Sequence, residues 1–171
     1  MDSFHISRSL RARILANAYT IRTNTDFAAV VAACADRPET WINAPILALY
    51  RQLHDQGFAH SVEVWDKAEL VGGVYGVALG GAFFGESMFS RRTDGSKLAL
   101  AYLIDRLRAG GFILFDTQFL TPHLQSLGAV EISRDAYHRK LRQALAVSAD
   151  FNRQPDPPDP ATLVQRNSQT S

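Results

Sequence analysis

The chain has 171 residues, of which 46% are hydrophobic and 20% are charged, and these values predict one globular domain with a sizeable core. Its formal net charge of +1 excludes a chain that is basic throughout, so any contact with nucleic acid must come from a local patch. No apolar stretch approaches the roughly 20 residues of a membrane span, no signal-peptide pattern is present, and the single cysteine, Cys34, excludes an internal disulfide, so we expect a cytoplasmic protein.

Helices dominate the first third of the chain. Ser7 and Asn43 are typical helix caps, and Gly57 is a typical helix stop. Cys34 falls in a helical run rich in Ala and Val, which indicates a core position. The elements predicted here are a helix from about residue 7 to 16, a strand 19–23, a helix 26–35 and a helix 43–57.

A three-stranded meander and a long helix follow. Residues 59–65 alternate, with Val62 and Val64 on one face and Glu63 on the other, and Gly80-Gly81 indicates a tight hairpin. The elements predicted here are strands 59–65, 70–79 and 82–89, a helix 93–109, a strand 112–118, a helix 121–127, a strand 129–132 and a helix from 133 to about 147.

This order predicts an α/β domain over residues 1–147, in which a mixed β-sheet carries helices on both faces. It is also the order of acyltransferase (GNAT)-like folds, an analogy that assigns no function. Residues 148–171 turn to Pro, Asp and Asn, and the proline run 155–160 cannot continue a helix or a sheet, so we expect a disordered tail.

Arginines concentrate near the N-terminus against a single acid, Asp2. Such a run is either the solvated face of a helix or a local contact for RNA, and charge alone favours the solvated face. The four arginines are Arg8, Arg11, Arg13 and Arg22.

Glu86 interrupts the apolar strand 82–89. A carboxylate is costly to bury unless something pairs with it. Glu86 is therefore either a structural carboxylate paired with an arginine, or a functional group that attracts a cationic substrate or accepts a proton.

Asp116 and Gln118 end the apolar strand 112–118, and residues two apart on a strand share a face. We expect Asp116 to hold the side-chain NH2 of Gln118, which leaves the side-chain carbonyl to accept a hydrogen bond and steer an amine nucleophile. The alternative is a strand end that turns polar as it reaches the surface.

Other kinds of site find less support. The five histidines show no metal-ligand spacing with one another or with Cys34, and no serine lies in a Gly-x-Ser-x-Gly elbow, so we expect neither a metal site nor a serine hydrolase. Residues 92–96 follow the Arg/Gln-x-x-Gly-x-Gly/Ala loop that holds a pyrophosphate in acetyl-coenzyme-A enzymes, but Lys97 occupies its last small position. The sequence leaves open that this junction binds a phosphate of another kind, for example one from RNA.

Longer motifs occur in order along the chain. They are His-Ile-Ser-Arg-Ser-Leu at 5–10, Thr-Trp-Ile at 40–42, Gly-Phe-Ala-His-Ser-Val-Glu-Val-Trp at 57–65, Leu-Val-Gly-Gly-Val-Tyr-Gly-Val-Ala at 70–78, Phe-Gly-Glu-Ser-Met-Phe-Ser at 84–90, Asp-Thr-Gln at 116–118 and Ser-Leu-Gly-Ala at 126–129. Over about residues 3–145 the chain thereby resembles the leucyl/phenylalanyl-tRNA–protein transferase family.

The resemblance implies transfer of Leu or Phe from an aminoacyl-tRNA to the N-terminal Arg or Lys of an acceptor protein, which marks that protein for degradation by the N-end rule. Aminolysis of an activated ester requires no metal, ATP or coenzyme, so no cofactor is expected. The implied partners are the aminoacyl-tRNA and the acceptor protein, and we expect a monomer without a membrane contact.

The resemblance also implies site residues. Asp116 and Gln118 match the catalytic pair, and Glu86 matches an acid that helps to hold the acceptor. The positions expected to bind the terminal adenosine and the aminoacyl group are Trp41, Tyr50, Val74, Phe84, Ser87 and Met88, of which Val74, Phe84 and Met88 are expected to line an apolar pocket.

Three features depart from the family pattern, and two of them are single positions. The family has a smaller N-terminal domain before the 5–10 motif, where this chain begins; Glu39 replaces a glycine; and Thr117 replaces a cysteine. Two alternatives to the transferase therefore stay open: a non-catalytic form that binds tRNA, and a coenzyme-A-dependent acyltransferase on the same fold.

Overall fold

The computed structural model describes residues 1 and 3–168. One five-stranded sheet organises them, with neighbours in the order β1-β2-β3-β4-β5. The first four strands pair antiparallel, and β5 runs parallel to β4, so the predicted mixed sheet is confirmed. The strands are β1 Thr20–Thr23, β2 Ala59–Asp66, β3 Glu69–Leu79, β4 Ala82–Ser90 and β5 Leu114–Asp116.

Helices cover both faces of the sheet, as predicted. α2 and α3 lie on one face, α4 lies on the other with α1 and α7 outside it, and α6 packs against β4 and β5. The helices are α1 Arg8–Leu15, α2 Phe27–Ala35, α3 Ala44–Asp55, α4 Gly95–Gly110, α5 Pro122–Ser126, α6 Arg134–Leu145 and α7 Pro160–Ser168. Among the described residues, no helix is long and apolar enough to cross a membrane.

Local signals place most of these boundaries. The side chains of Ser7, Asn43 and Ser133 each accept a hydrogen bond from the backbone N–H three residues on, which satisfies a donor that the helix leaves unpaired. Gly80, with φ of 56°, makes the predicted hairpin between β3 and β4.

Alternation along the central strands divides the core into two layers. Val62, Val64 and Val74 pack on the α4 face, whereas Tyr75 packs on the α2 and α3 face. Cys34 is fully buried in this second layer, so its predicted core position is confirmed.

Glu63 is a carboxylate buried completely between the sheet and the start of α2. Its Oε1 accepts hydrogen bonds from the backbone N–H groups of Thr25 and Asp26 at 2.8 Å each and from the Ser61 hydroxyl at 3.0 Å. Its Oε2 accepts from the Trp65 indole N–H at 2.9 Å. These donors compensate for the lost hydration and fix the approach of α2 to the sheet.

β4 contains a β-bulge at Glu86. Tyr75 of β3 lies opposite Ser87 and Gly76 lies opposite Gly85, so Glu86 is the extra residue on β4. A side chain on Gly76 would bring a Cβ to 2.2 Å from the Phe84 carbonyl oxygen, which is why a glycine is required beside the bulge.

The predicted strand 129–132 is wrong. Those residues form no strand, and the chain before them pairs with the N-terminal segment: His5 N–H donates to the Leu127 carbonyl and the Ser3 hydroxyl donates to the Gly128 carbonyl. Apolar residues alone do not make a strand when no partner strand is within reach, and β5 is the last strand of the sheet.

The predicted disorder of residues 148–171 is also wrong for the described part, residues 148–168. Phe151, Leu163 and Val164 are buried against the α4 layer, and Leu163 and Val164 lie on α7. The guanidinium of Arg106, itself 3% exposed, donates to the carbonyl oxygens of Phe151 and Pro155. Prolines break the helix pattern here, but side-chain burial and these bonds still order the chain. Residues 169–171 lie outside the described residues.

Candidate active site

The site lies where the bulge of β4 meets the end of β5. Phe84 and Asp116 are partners in the parallel ladder, so the residues two positions further on, Glu86 and Gln118, become neighbours. The Gln118 Nε2 donates a hydrogen bond to the Glu86 Oε2 at 3.0 Å. Among residues 1 and 3–168, no salt bridge involves Glu86, which removes the alternative of a carboxylate paired with an arginine.

Gln118 is held by its backbone. β5 ends at Asp116, and Gln118 has φ of 63°, in the left-handed region that non-glycine residues rarely occupy. The Asp116 Oδ1 accepts a hydrogen bond from the Gln118 backbone N–H at 2.7 Å. The expectation that both side chains share a strand face and that Asp116 holds the Gln118 NH2 is therefore wrong, because Glu86 holds that group. The expected consequence is unchanged, since the Gln118 Oε1 accepts no hydrogen bond from any described residue.

The second oxygen of Asp116 is occupied by a residue from α6. The Tyr137 hydroxyl donates to the Asp116 Oδ2 at 2.7 Å. This bond, followed by burial, raises the pKa of Tyr137 to about 12, so the hydroxyl stays protonated at neutral pH. Both carboxylate oxygens of Asp116 therefore accept hydrogen bonds within the site.

Tyr50 brings α3 to the other side of Glu86. Burial, and then a hydrogen bond to the Glu86 carboxylate, raise the pKa of Tyr50 above its usual value. The Trp41 ring, half exposed, meets the Tyr50 ring edge-on at 6.2 Å between centroids. Trp41, Tyr50, Glu86 and Gln118 thus follow one another across the mouth of the site.

Below this row lies a second polar group around Ser87. The Arg37 Nη2 donates to the Ser87 Oγ at 3.1 Å and to the Met88 carbonyl oxygen at 3.3 Å. Tyr75, opposite Ser87 on β3, is fully buried, and its hydroxyl has no hydrogen-bond partner among the described residues. Burial raises the pKa of the Cys34 thiol to about 12, which makes it unreactive.

The three residues expected to line an apolar pocket are not brought together. Val74 and Met88 are ladder partners packed in the α4 layer, and Val74 is only 3% exposed. Phe84 lies in a third cluster with Tyr137 and Leu141, beside β5 and α6. Ser87, by contrast, lies beside Glu86 on the site side.

The junction before α4 does not form an open phosphate cradle. Asp94 has φ of 65°, and its carboxylate faces Lys97 at 3.0 Å and Arg13 at 3.9 Å. An acidic group at this point opposes a pyrophosphate. The described residues also include no group of three or more His, Cys, Asp or Glu side chains that could hold a metal ion.

Sequence reasoning missed Tyr137 and Arg37. Tyr137 and Asp116 are 21 residues apart on different kinds of element, and nothing in the sequence pairs them. The helix period alone gives a hint, because Tyr137 and Leu141 lie on one face of an otherwise polar helix.

Comparison with known proteins gives a consistent result. The family profile described as leucyl/phenylalanyl-tRNA protein transferase matches residues 1–142. A leucyl/phenylalanyl-tRNA–protein transferase of Cereibacter sphaeroides strain KD131 is 66% identical over 171 residues, which are 100% of this chain and 80% of that protein. The protein of the same description from Ruegeria sp. strain TM1040 is 63% identical over 171 residues, which are 100% of this chain and 81% of that protein.

Solved acetyltransferase structures are more distant. An aminoglycoside acetyltransferase from an uncultured soil metagenomic sample is 12% identical with a TM-score of 0.46, and the aligned part covers 78% of this chain and 91% of that one. A similarity at this score carries no argument about activity.

Proposed function

Since the chain belongs to the leucyl/phenylalanyl-tRNA–protein transferase family, we propose that it transfers Leu or Phe from an aminoacyl-tRNA to the N-terminus of an acceptor protein. The observation that carries the proposal is the hydrogen bond from Gln118 Nε2 to Glu86 Oε2. It turns the Gln118 carbonyl oxygen towards a partner that must be a hydrogen-bond donor, and an amine is such a donor.

The chemistry requires little activation. The acceptor amine attacks the ester carbonyl, a peptide bond forms, the bond to the ribose oxygen breaks, and that oxygen leaves with a proton. A free α-amino group has a pKa of roughly 8, so part of it is neutral at pH 7. The Gln118 Oε1 accepts one N–H of this amine and directs its lone pair at the ester, which is catalysis by orientation. No cofactor takes part.

Glu86 gives the site its preference for a cationic acceptor. Its carboxylate has no arginine or lysine in a salt bridge among the described residues and lies beside the amine position. An N-terminal Arg or Lys supplies the missing positive charge in addition to its α-amine. We therefore propose N-terminal Arg or Lys as the acceptor residue.

The donor tRNA is assigned to the α3 side. The exposed ring of Trp41 offers a surface on which the terminal adenosine can stack, with Tyr50 next to it. Val74 and Met88 pack in the α4 layer and Phe84 packs beside α6, so the three are not proposed to form one pocket for the Leu or Phe side chain. The exposed Arg8 and Arg11 are proposed to contact phosphates of the tRNA. We further propose that the protein acts as a monomer in the cytoplasm.

The test is transfer of labelled Leu or Phe from charged tRNA to a peptide that begins with Arg. We expect transfer by the wild type and a loss of about 100-fold in Gln118→Ala, because misplacement of the nucleophile costs up to about 100-fold. Gln165→Ala, at an exposed glutamine on α7 outside the site, is the matched control and should leave transfer unchanged. An N-acetylated peptide should receive nothing.

Two results contradict the proposal in different ways. Salt-sensitive tRNA binding without transfer favours a non-catalytic tRNA-binding form. Thermal stabilisation by micromolar acetyl-coenzyme A favours a coenzyme-A-dependent acyltransferase.

A further inference from the structure

Gln118 occupies a backbone conformation that it would not adopt alone. Its φ of 63° lies in the left-handed region, which is unfavourable for a residue with a Cβ. Strain of this kind persists only where neighbouring groups enforce it. The enforcing contact is the 2.7 Å hydrogen bond from the Gln118 backbone N–H to the Asp116 Oδ1.

Asp116 can enforce this conformation only if its own carboxylate is fixed. The terminal torsion of an Asp side chain is soft, so a carboxylate with one bound oxygen can turn. The Tyr137 hydroxyl binds the other oxygen, Oδ2, at 2.7 Å, and this second bond removes that freedom. A bond to a charged acceptor is stronger than a neutral one.

Tyr137 is itself well placed to be rigid. It lies on α6 after the Ser133 cap, and its ring packs with Phe84 and Leu141 against the cluster beside β5. The hydroxyl is therefore presented by a packed ring on a helix rather than by a loop.

We propose that Tyr137 is a positioning residue of the transfer reaction, which fixes Asp116 and thereby holds Gln118 with its carbonyl oxygen towards the acceptor amine. This inference rests on the proposed function. It also assigns Asp116 a role that differs from that of a base, because both of its oxygens already accept hydrogen bonds inside the protein.

A purely structural role for Tyr137 predicts something different. If the ring merely packs α6 onto the sheet, Tyr137→Phe retains that packing and should leave transfer unchanged. If the hydroxyl positions the site, Tyr137→Phe lowers kcat by about 10-fold or more, with the KM for aminoacyl-tRNA unchanged, since the donor binds on the α3 side. Tyr19→Phe, on the opposite layer, is the matched control and should change neither value.

Two further measurements identify the path. The double variant Tyr137→Phe/Asp116→Ala should transfer no more slowly than Asp116→Ala alone, because the hydroxyl then has nothing left to position. In a hydrogen-exchange experiment, the backbone N–H of Gln118 should exchange faster in Tyr137→Phe than in the wild type and at the wild-type rate in Tyr19→Phe.

An unchanged kcat in Tyr137→Phe, or an unchanged exchange rate of the Gln118 backbone N–H in that variant, overturns the inference. A wild-type protein that transfers nothing overturns the proposed function and, with it, the catalytic consequence. In that case the amide measurement still decides by itself whether Tyr137 holds Gln118.

Discussion

Glu86 and Gln118 are joined side chain to side chain, with the Gln118 Nε2 donating to the Glu86 Oε2 at 3.0 Å. The β-bulge brings Glu86 to this position, and the turn after β5 brings Gln118. One carboxylate thus both orients an amide and offers a negative charge to the substrate.

The first prediction separates these two effects. Glu86→Gln keeps the shape but removes the charge, and its own NH2 can face that of Gln118. We expect kcat/KM for a peptide beginning with Arg to fall about 10- to 100-fold, because a charged hydrogen-bond partner is worth roughly 1.5–3 kcal/mol. The measurement compares peptides beginning with Arg and with citrulline, which lacks the charge. An equal preference for Arg over citrulline in wild type and variant would contradict the assignment.

The second prediction concerns the buried carboxylate Glu63. Glu63→Gln places an NH2 group among donors that need an acceptor, so we expect the free energy of unfolding to fall by about 2–3 kcal/mol. Glu69→Gln is the matched control, because Glu69 is half exposed and pairs with Arg92 at the surface, where such a bridge is worth about 0–1 kcal/mol. Urea unfolding measures the free energy of unfolding of both variants. Equal losses in the two would show that the hydrogen bonds of Glu63 do not stabilise the fold more than a surface ion pair does.

The third prediction concerns two tyrosines with opposite surroundings. The Tyr75 hydroxyl is buried without a partner among the described residues, so Tyr75→Phe should leave stability unchanged or raise it by about 1 kcal/mol. Tyr137→Phe removes a bond to a carboxylate and should lower stability by about 1.5–3 kcal/mol. A loss in Tyr75→Phe larger than that in Tyr137→Phe would mean that the Tyr75 hydroxyl has a partner.

The sequence predicts what depends on local periodicity. Alternation places Glu63 and the valines on their faces, small polar residues cap the helices, and Gly80-Gly81 turns the hairpin. Gln118 shows where this reasoning fails. The period of two assumes an unbroken strand, whereas a single left-handed residue redirects the side chain, and its cause is a hydrogen bond to Asp116 rather than its own propensity.

Contacts between distant segments are the other limit. Tyr137 reaches Asp116 across 21 residues, and Arg106 reaches Phe151 across 45, and neither pairing leaves a pattern in the sequence. The proline content of residues 148–168 predicted disorder because composition describes the average segment, while burial of a few apolar side chains decides this one.

The fourth prediction tests that order. Leu163 is 1% exposed in the α4 layer, so Leu163→Ala should lower the free energy of unfolding by about 2–5 kcal/mol. Leu15→Ala, at a position 47% exposed, is the matched control and should cost less than about 0.5 kcal/mol. Thermal unfolding measures the stability of both variants, and an equal loss of stability in the two would indicate that α7 does not pack on α4.

The fifth prediction is a pH dependence that arises from His60. The Asn24 Oδ1 accepts from the Ser61 N–H, so the Asn24 Nδ2 must face the His60 Nδ1, which then accepts and must be unprotonated. Burial, aided by nearby His54, lowers the pKa of His60 to about 4, below the roughly 6.5 of an unfolded chain. Between about pH 4 and 6.5 the unfolded state therefore binds a proton at this residue that the folded state does not bind. Stability that is present above pH 6.5 is lost as the pH falls towards 4.

The size of this effect between pH 7 and pH 5 should be about 1–2 kcal/mol in urea unfolding, since one pKa unit is worth about 1.4 kcal/mol. His60→Gln keeps a polar group that can accept from Asn24 and should remove this slope, whereas His5→Gln, at an exposed position, should retain it. A ring titration of His60 followed by NMR provides a direct check if the variant is too unstable to compare. A His60 that protonates in the folded protein near pH 6.5 would contradict the assigned contact, because its Nδ1 could not then accept from Asn24.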